Sequence, residues 1–414
     1  MSTIATAAVD DEACASRFEA RFRALQARPP DSITATASDE QQTQILHTRY
    51  SKWGLFSMLN NLAVAMVGAA AGNMTLCVRT DPWPYAPSPA FEAAHGCRGA
   101  GCYFAAVADG DLWPTACGSS NDNNHNGLPI EVHDVVGPSF RAAARKQVDE
   151  AFGAGCGDAA RAAATRWLFR GTPAVQEHAD QFAAALFFNG RGGEKSSPPS
   201  PPRLPLSNGR RVHRHRLPRY VAMHVRWGDK VREASKVSAT AYVAAALELC
   251  RTHGVSTVVL TTSSPAAVAA IAEEFAAATV GAGTGDEEMI DDASNQNSRK
   301  QQQQQQQQQD GSGGSVVLRV PPSNSRMADS DFSGGNQWLN KSALPEDSFL
   351  AAYSDEALLL SAVGCAVTLS SNMGRFPHWH NLAEIQAGRF ELRNLDRDQR
   401  TGAPQERPHR WFAP

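Results

Sequence analysis

The chain is 414 residues long, 42% hydrophobic and 20% charged, with a formal net charge of −3. That is enough apolar material for one or two large cores, which excludes a disordered chain. The near-neutral balance excludes general electrostatic capture of nucleic acid, so an anionic ligand must be held by a few placed cations.

Residues 1–44 read as a peripheral N-terminal segment. Within it, Asp11 to Ala27 puts Phe18, Phe22 and Leu25 on one helical face, and Arg28-Pro29-Pro30 ends the helix. The first strong segment is Lys52 to Val78. Gly54 heads it, Leu55, Leu59, Leu62 and Met66 recur at helical spacing, Gly72-Asn73 stops the helix, and Thr75 to Val78 reads as a buried strand. Residues 81–138 are rich in Pro, Gly, Asn and Cys and read as irregular surface. Residues 139–153 and 157–188 read as Ala-rich helices. Residues 45–189 are therefore expected to form an N-terminal α/β unit, followed by a Pro/Ser-rich insertion over 190–217.

A second unit is expected over 218–390. Its strands are Tyr220 to Val225, Val255 to Thr261, Val316 to Val320 and Ala366 to Leu369. Its helices are Ala239 to Cys250, Pro265 to Ala278, Asp347 to Val363 and Pro377 to Gln386. Residues 281–315, with the glutamine run Gln301 to Gln309, read as an insertion that cannot bury a core. Residues 391–414 read as a tail. Strands and helices in alternation imply the α/β class, with a parallel sheet covered on both faces and ligands beyond the carboxyl ends of its strands.

The cysteines Cys97, Cys102, Cys117 and Cys156 lack paired CxxC spacing, so they suit disulfides in an oxidising compartment better than zinc. Free buried thiols are the alternative. Asn73-Met74-Thr75 and Asn340-Lys341-Ser342 are glycosylation sequons, meaningful only in the secretory pathway. There is no apolar run of about 20 residues to anchor the chain in a membrane. The acidic start MSTIATAAVDDEACASRF does not read as a signal peptide.

The most informative segment is His224-Val225-Arg226-Trp227-Gly228-Asp229-Lys230-Val231-Arg232-Glu233, just past a buried strand. A guanidinium there can grip phosphate oxygens, and Gly228 admits a close backbone approach. Asp229, Lys230 and Glu233 bring both charge signs to one loop, which suits proton transfer beside a leaving group. The plainer reading is a solvated loop closed by local ion pairs. Later, Asp355 precedes a strand that runs into Ser370-Ser371-Asn372, Gly374 and Arg375. A Ser/Asn/Gly loop before a helix is an anion site, or an ordinary N-cap. Asp109-Gly110-Asp111 has a metal-binding look but reads as a turn, and His378 and His380 read as a packed or solvated pair.

These two segments resemble the signatures of the core α1,6-fucosyltransferase family, which includes the nodulation fucosyltransferase and is akin to protein O-fucosyltransferases. YVAMHVRWGDKV resembles the first, whose pattern is His-Val-Arg-Arg-x-Asp-Lys. His224, Arg226, Asp229 and Lys230 match it, and Trp227 replaces its second arginine. Glu233 matches the family's catalytic glutamate with a one-residue gap. DEALLLSAVGCAVTLSSNMGR resembles the last signature, and KWGLFSMLNN the glycine-led opening at Gly54. VVLTTSSP resembles an intervening strand, with Ser263-Ser264 where the family more often has acids. The likeness runs over about residues 48–390.

The resemblance implies a two-lobed GT-B architecture with a Rossmann-like C-terminal lobe that binds GDP-fucose, and an N-terminal lobe that receives a glycan. It implies fucose transfer with inversion, possible α1,6 linkage to an N-glycan core, no cofactor and no metal, and a Golgi or secretory lumen. Arg226 and Lys230 are expected at the diphosphate, Glu233 or Asp229 as base, Asp355 at the guanine, and His224, Ser370, Ser371, Arg375 and Gly54 in substrate binding. A protein acceptor, or a non-catalytic GDP-sugar or glycan-binding relative, are the alternatives.

Overall fold

A computed structural model describes residues 10–27, 45–49, 55–79, 88–97, 102–104, 146–188, 217–227, 236–280, 316–321 and 348–396. Helix α1 (Asp11–Gln26) is capped by Asp10, whose carboxylate accepts from Ala13 N at 3.0 Å. Phe18, Phe22 and Leu25 fall on one face and are buried. Phe18 meets Phe152 edge-on, and Phe22 meets Trp167 in the same way. A disulfide joins Cys14 to Cys156. The segment expected to be peripheral thus contributes a helix to the core.

Strand β1 (Ile45–Arg49) runs parallel to β2 (Thr75–Arg79), with α2 (Leu55–Ala71) as the crossover. Most of α2 is apolar around its whole circumference, and it is buried almost entirely. Helix α3 (Pro89–His95) ends at Gly96, and Cys97 bonds to Cys102. The Ala-rich stretch from 157 is two helices, α4 (Gly157–Leu168) and α5 (Pro173–Phe188). Gly171 breaks it with a φ of +57°, and a Cβ there would come within 2.6 Å of the Tyr353 hydroxyl. Thr172 Oγ1 then accepts from Val175 N, and Pro173 supplies the preset φ of a first turn.

The second sheet contains β3 (Val221–His224), helix α6 (Ala239–His253), β4 (Thr257–Thr261), α7 (Pro265–Val280), β5 (Val317–Arg319), α8 (Ser348–Ser361) and β6 (Gly364–Val367). Helices α9 (Asn372–His380) and α10 (Leu382–Gln386) and strand β7 (Glu391–Asn394) complete it. Its five strands are all parallel, in the order β5-β4-β3-β6-β7. β3 and β6 are buried throughout, as strands covered on both faces must be. On one face Tyr242, Val243, Ala246 and Leu249 of α6 pack on Val221, Met223, Val258 and Leu260. On the other, α5 and α8 pack on Tyr220, Ala222, Val259 and Cys365. Helix α5, which precedes the expected boundary at 189, therefore covers the second sheet. A third cluster runs from α1, α2 and α4 into Phe349, Tyr353 and Phe376 without a break.

Three differences from the sequence expectation fall near the end of the chain. β6 starts at Gly364, α9 starts at Asn372 instead of Pro377, and residues expected to form a tail supply β7. Gly374 and Pro377 discourage a helix by propensity, and packing overrides them. Gly374 lies against the end of β6, where a Cβ would sit 2.2 Å from the Thr368 carbonyl oxygen. Gly374→Ala should therefore cost about 1–3 kcal/mol. A denaturant midpoint equal to wild type would show that α9 can move away from β6 freely.

Candidate functional site

The strand order fixes where the site lies. After β3 the chain moves to β4, and after β6 it moves the opposite way to β7. The crossovers leave by opposite faces, so a crevice opens between the carboxyl ends of β3 and β6. The two motif segments, far apart in sequence, both end there.

His224 closes β3 and is buried. Its Nδ1 is 3.3 Å from Thr261 Oγ1 on β4, and its Nε2 is 3.5 Å from Ser371 Oγ. Thr261 Oγ1 donates to Met223 O, also at 3.3 Å. This leaves Thr261 to accept from Nδ1–H, so Nε2 is the acceptor facing Ser371. Burial, and then the nearby Arg226 charge, lower the His224 pKa to about 3. The ring is neutral at pH 7 and acts as a hydrogen-bonding group, not a proton acceptor. Its stabilising contribution is complete above its ordinary value of 6.5 and is lost as pH falls toward about 3.

Ser371 is the N-cap of α9 but makes no side-chain cap bond. The first-turn amides of α9 are thus open to an acceptor from outside the helix. The neighbouring residues hold this loop in shape. Ser370 donates from both N and Oγ to Asp396, each at 2.6 Å. Leu369 N donates to Asn394 Oδ1 at 3.2 Å. Arg375 donates from Nε to Leu369 O at 2.6 Å and from Nη1 to Asn372 Oδ1 at 3.2 Å. Of the expected binding residues here, Ser371 faces His224, whereas Ser370 and Arg375 hold the loop.

Arg226 stands two residues beyond β3 and is half-buried. Tyr242 of α6 lies beside the Arg226 backbone and the Thr368 side chain, where the β3 end meets the β6 end. Burial raises its phenol above the ordinary range. Trp227 donates from Nε1 to Val237 O at 3.0 Å, and the Lys236 ammonium lies 3.8 Å from its ring centroid. Trp227 therefore joins the two sides of residues 228–235. Asp229, Lys230 and Glu233 lie within that span, outside the described residues, as do Gly54, Asp109 and Asp111. Just past β4, Thr262 Oγ1 donates to Val225 O at 2.7 Å and Ser264 Oγ caps α7 through Ala267 N.

Asp355 is buried on α8 beside Glu356, which is 0% exposed and has no hydrogen-bond partner at either carboxyl oxygen. Burial, and then the Asp355 charge, hold Glu356 protonated well above the usual carboxylate range. Glu356 also helps push the buried Cys365 thiol up. The unfolded chain loses the Glu356 proton above about pH 4.5, where the folded chain keeps it. Stability should fall as pH climbs from there through the raised value. Glu356→Gln should flatten that decline in denaturant midpoints measured from pH 4 to 9, and an unchanged slope would refute the assignment.

Tyr242, Asp396 and Asn394 escape sequence reading. Tyr242 lies on an apolar helical stripe, where only its hydroxyl marks it out. Asp396 follows a short strand whose residues are half-buried and carry charge. Among the described residues no three His, Cys, Asp or Glu side chains are grouped as metal ligands. No described helix is long and apolar enough to cross a membrane. In comparisons with known proteins, no family model matches the chain and no curated protein matches it.

Proposed function

We propose that the chain is an inverting GDP-fucose-dependent glycosyltransferase of GT-B type, with a glycan as acceptor. The observation that carries this reading is the meeting of His224 and Ser371, from two separate motif segments, at the sheet's switch point. Beside them are the open N-terminus of α9 and the Arg226 side chain. Oriented amides and a guanidinium are what a diphosphate requires.

In the reaction, the acceptor hydroxyl oxygen bonds to the anomeric carbon as the bond from that carbon to the β-phosphate oxygen breaks. The electron pair leaves with GDP. The hydroxyl proton passes to Glu233, or to Asp229 if the sequence gap lies elsewhere. Arg226, Lys230 and the α9 amides offset the charge that develops on the diphosphate. Asp355 on α8 is assigned to the guanine, and His224, neutral and oriented by Thr261, to substrate binding beside Ser371. Gly54 heads the segment that leads into the acceptor-side helices. The two disulfides among the described residues suit a secretory lumen such as the Golgi.

One observation favours a second reading, a non-catalytic GDP-sugar binder. Trp227 is engaged by Val237 and Lys236, so it replaces the family's second arginine with packing. Calorimetry with GDP and UDP, and transfer assays with GDP-fucose over glycan and peptide acceptors, separate these readings. Tighter GDP binding and transfer that persists in millimolar EDTA are expected. GDP binding without transfer or donor hydrolysis would leave only the binder, transfer to peptides alone would make it a protein O-fucosyltransferase, and preference for UDP would reject both GDP-sugar readings.

A further inference from the structure

The loop that carries Ser371 is held from its far side by the N-terminal helices. Asn60, buried on α2, donates from Nδ2 to its own helix at Phe56 O, 2.9 Å, and to Asn372 O, 3.1 Å. Its Oδ1 accepts from Arg161 Nη2 of α4 at 3.3 Å. The Arg161 guanidinium lies 4.5 Å from the Trp379 ring centroid, on α9 itself. One turn earlier on α2, Ser57 Oγ accepts from Asn372 Nδ2 at 2.7 Å. Asn372 Oδ1 accepts from Arg375, which holds the Leu369 carbonyl. Each side chain in this series has a defined partner, and the series ends at the residue next to Ser371.

We infer that Asn60 is a positioning residue, which with Ser57 fixes the Ser371–Asn372 turn against α2 and so sets the alignment of the α9 amides with the crevice. The physical reason is geometric. Asn60 is the only α2 side chain in this series that bonds both α4 and the α9 backbone, so it transmits the placement of the helical layer to the turn. Its loss removes that donor from the half-buried Asn372 carbonyl and lets the turn relax. The consequence for nucleotide affinity rests on the reading of this crevice as the diphosphate site.

The test compares the full chain with Asn60→Ala, the milder Ser57→Ala, and Leu62→Val, a buried α2 substitution outside the series. Amide exchange is read at Ser371 and Arg375 without nucleotide, and GDP affinity is read by calorimetry. Asn60→Ala should speed exchange at those amides by about 2- to 30-fold beyond Leu62→Val, and weaken GDP by a similar factor. Ser57→Ala should shift both in the same direction, and it decides the matter if Asn60→Ala does not fold. A general structural role would lower the melting temperature of all three variants without singling out Ser371 and Arg375, and that result would overturn the inference. A wild-type chain that fails to bind GDP would overturn the donor reading, and the exchange comparison would still decide this one.

Discussion

On the proposed glycosyltransferase reading, Arg226→Ala should reduce fucose transfer from GDP-fucose by about 10²–10³-fold, the typical loss when one preorganised donor to a developing negative charge is removed. The residue lies beyond the end of β3, at the mouth of the crevice, and it is only half-buried. Tyr242 lies beside its backbone. The alanine variant should therefore keep the fold while it loses the guanidinium. Its effect should appear in kcat, because the diphosphate charge it balances grows as the sugar departs. A second consequence separates this role from simple disorder. Burial is the larger cause of the low His224 pKa and the Arg226 charge the second, so loss of the guanidinium should raise that value only partway toward 6.5, whereas disorder would return it there; NMR of the imidazole reads the shift. Full activity in a folded Arg226→Ala protein would remove the site from the β3 end.

The second large effect is expected from Cys14→Ala with Cys156→Ala. This disulfide links residues 142 positions apart, and a chain-entropy estimate for so long a loop is about 5 kcal/mol. Folded domains have roughly 5–15 kcal/mol in total, so the loss is a large share. The bond also holds α1 where Phe18 and Phe22 reach Phe152 and Trp167, and the Arg17 guanidinium donates to both sulfurs. Guanidinium unfolding of the wild type with and without reductant, beside the double variant, measures it. An unchanged midpoint would mean that aromatic packing alone holds α1.

The second α/β unit is legible in the sequence because its strands are short, apolar and separated by helices of clear period. YVAMHV and VVLT leave little choice once Ser238, Gly254 and Pro265 punctuate them. The meeting of His224 with Ser371 is legible only as far as parallel topology forces the carboxyl ends together. What was hidden has specific causes. β7 is an edge strand with Glu391 and Arg393 in ion pairs, so it carries no apolar run. The start of α9 was hidden because Gly374 serves a contact with β6 that local propensity opposes. The partner of Cys14 could not be read, since spacing alone does not choose among pairings. The role of Trp227 needed Val237 and Lys236 in view, residues that a motif centred on the arginines passes over.

The Asp396 carboxylate that holds Ser370 comes after every other described strand and helix. Synthesis runs from the N-terminus, so the ribosome delivers this latch later than all the elements it completes. A nascent chain can assemble the first four strands of the sheet, through β6, while the Ser370 amide and hydroxyl still lack their acceptor. Chains interrupted ahead of residue 396 should therefore collect as folded-looking products with a loose crevice. Ligand retention, more than secondary structure content, should distinguish them from finished protein.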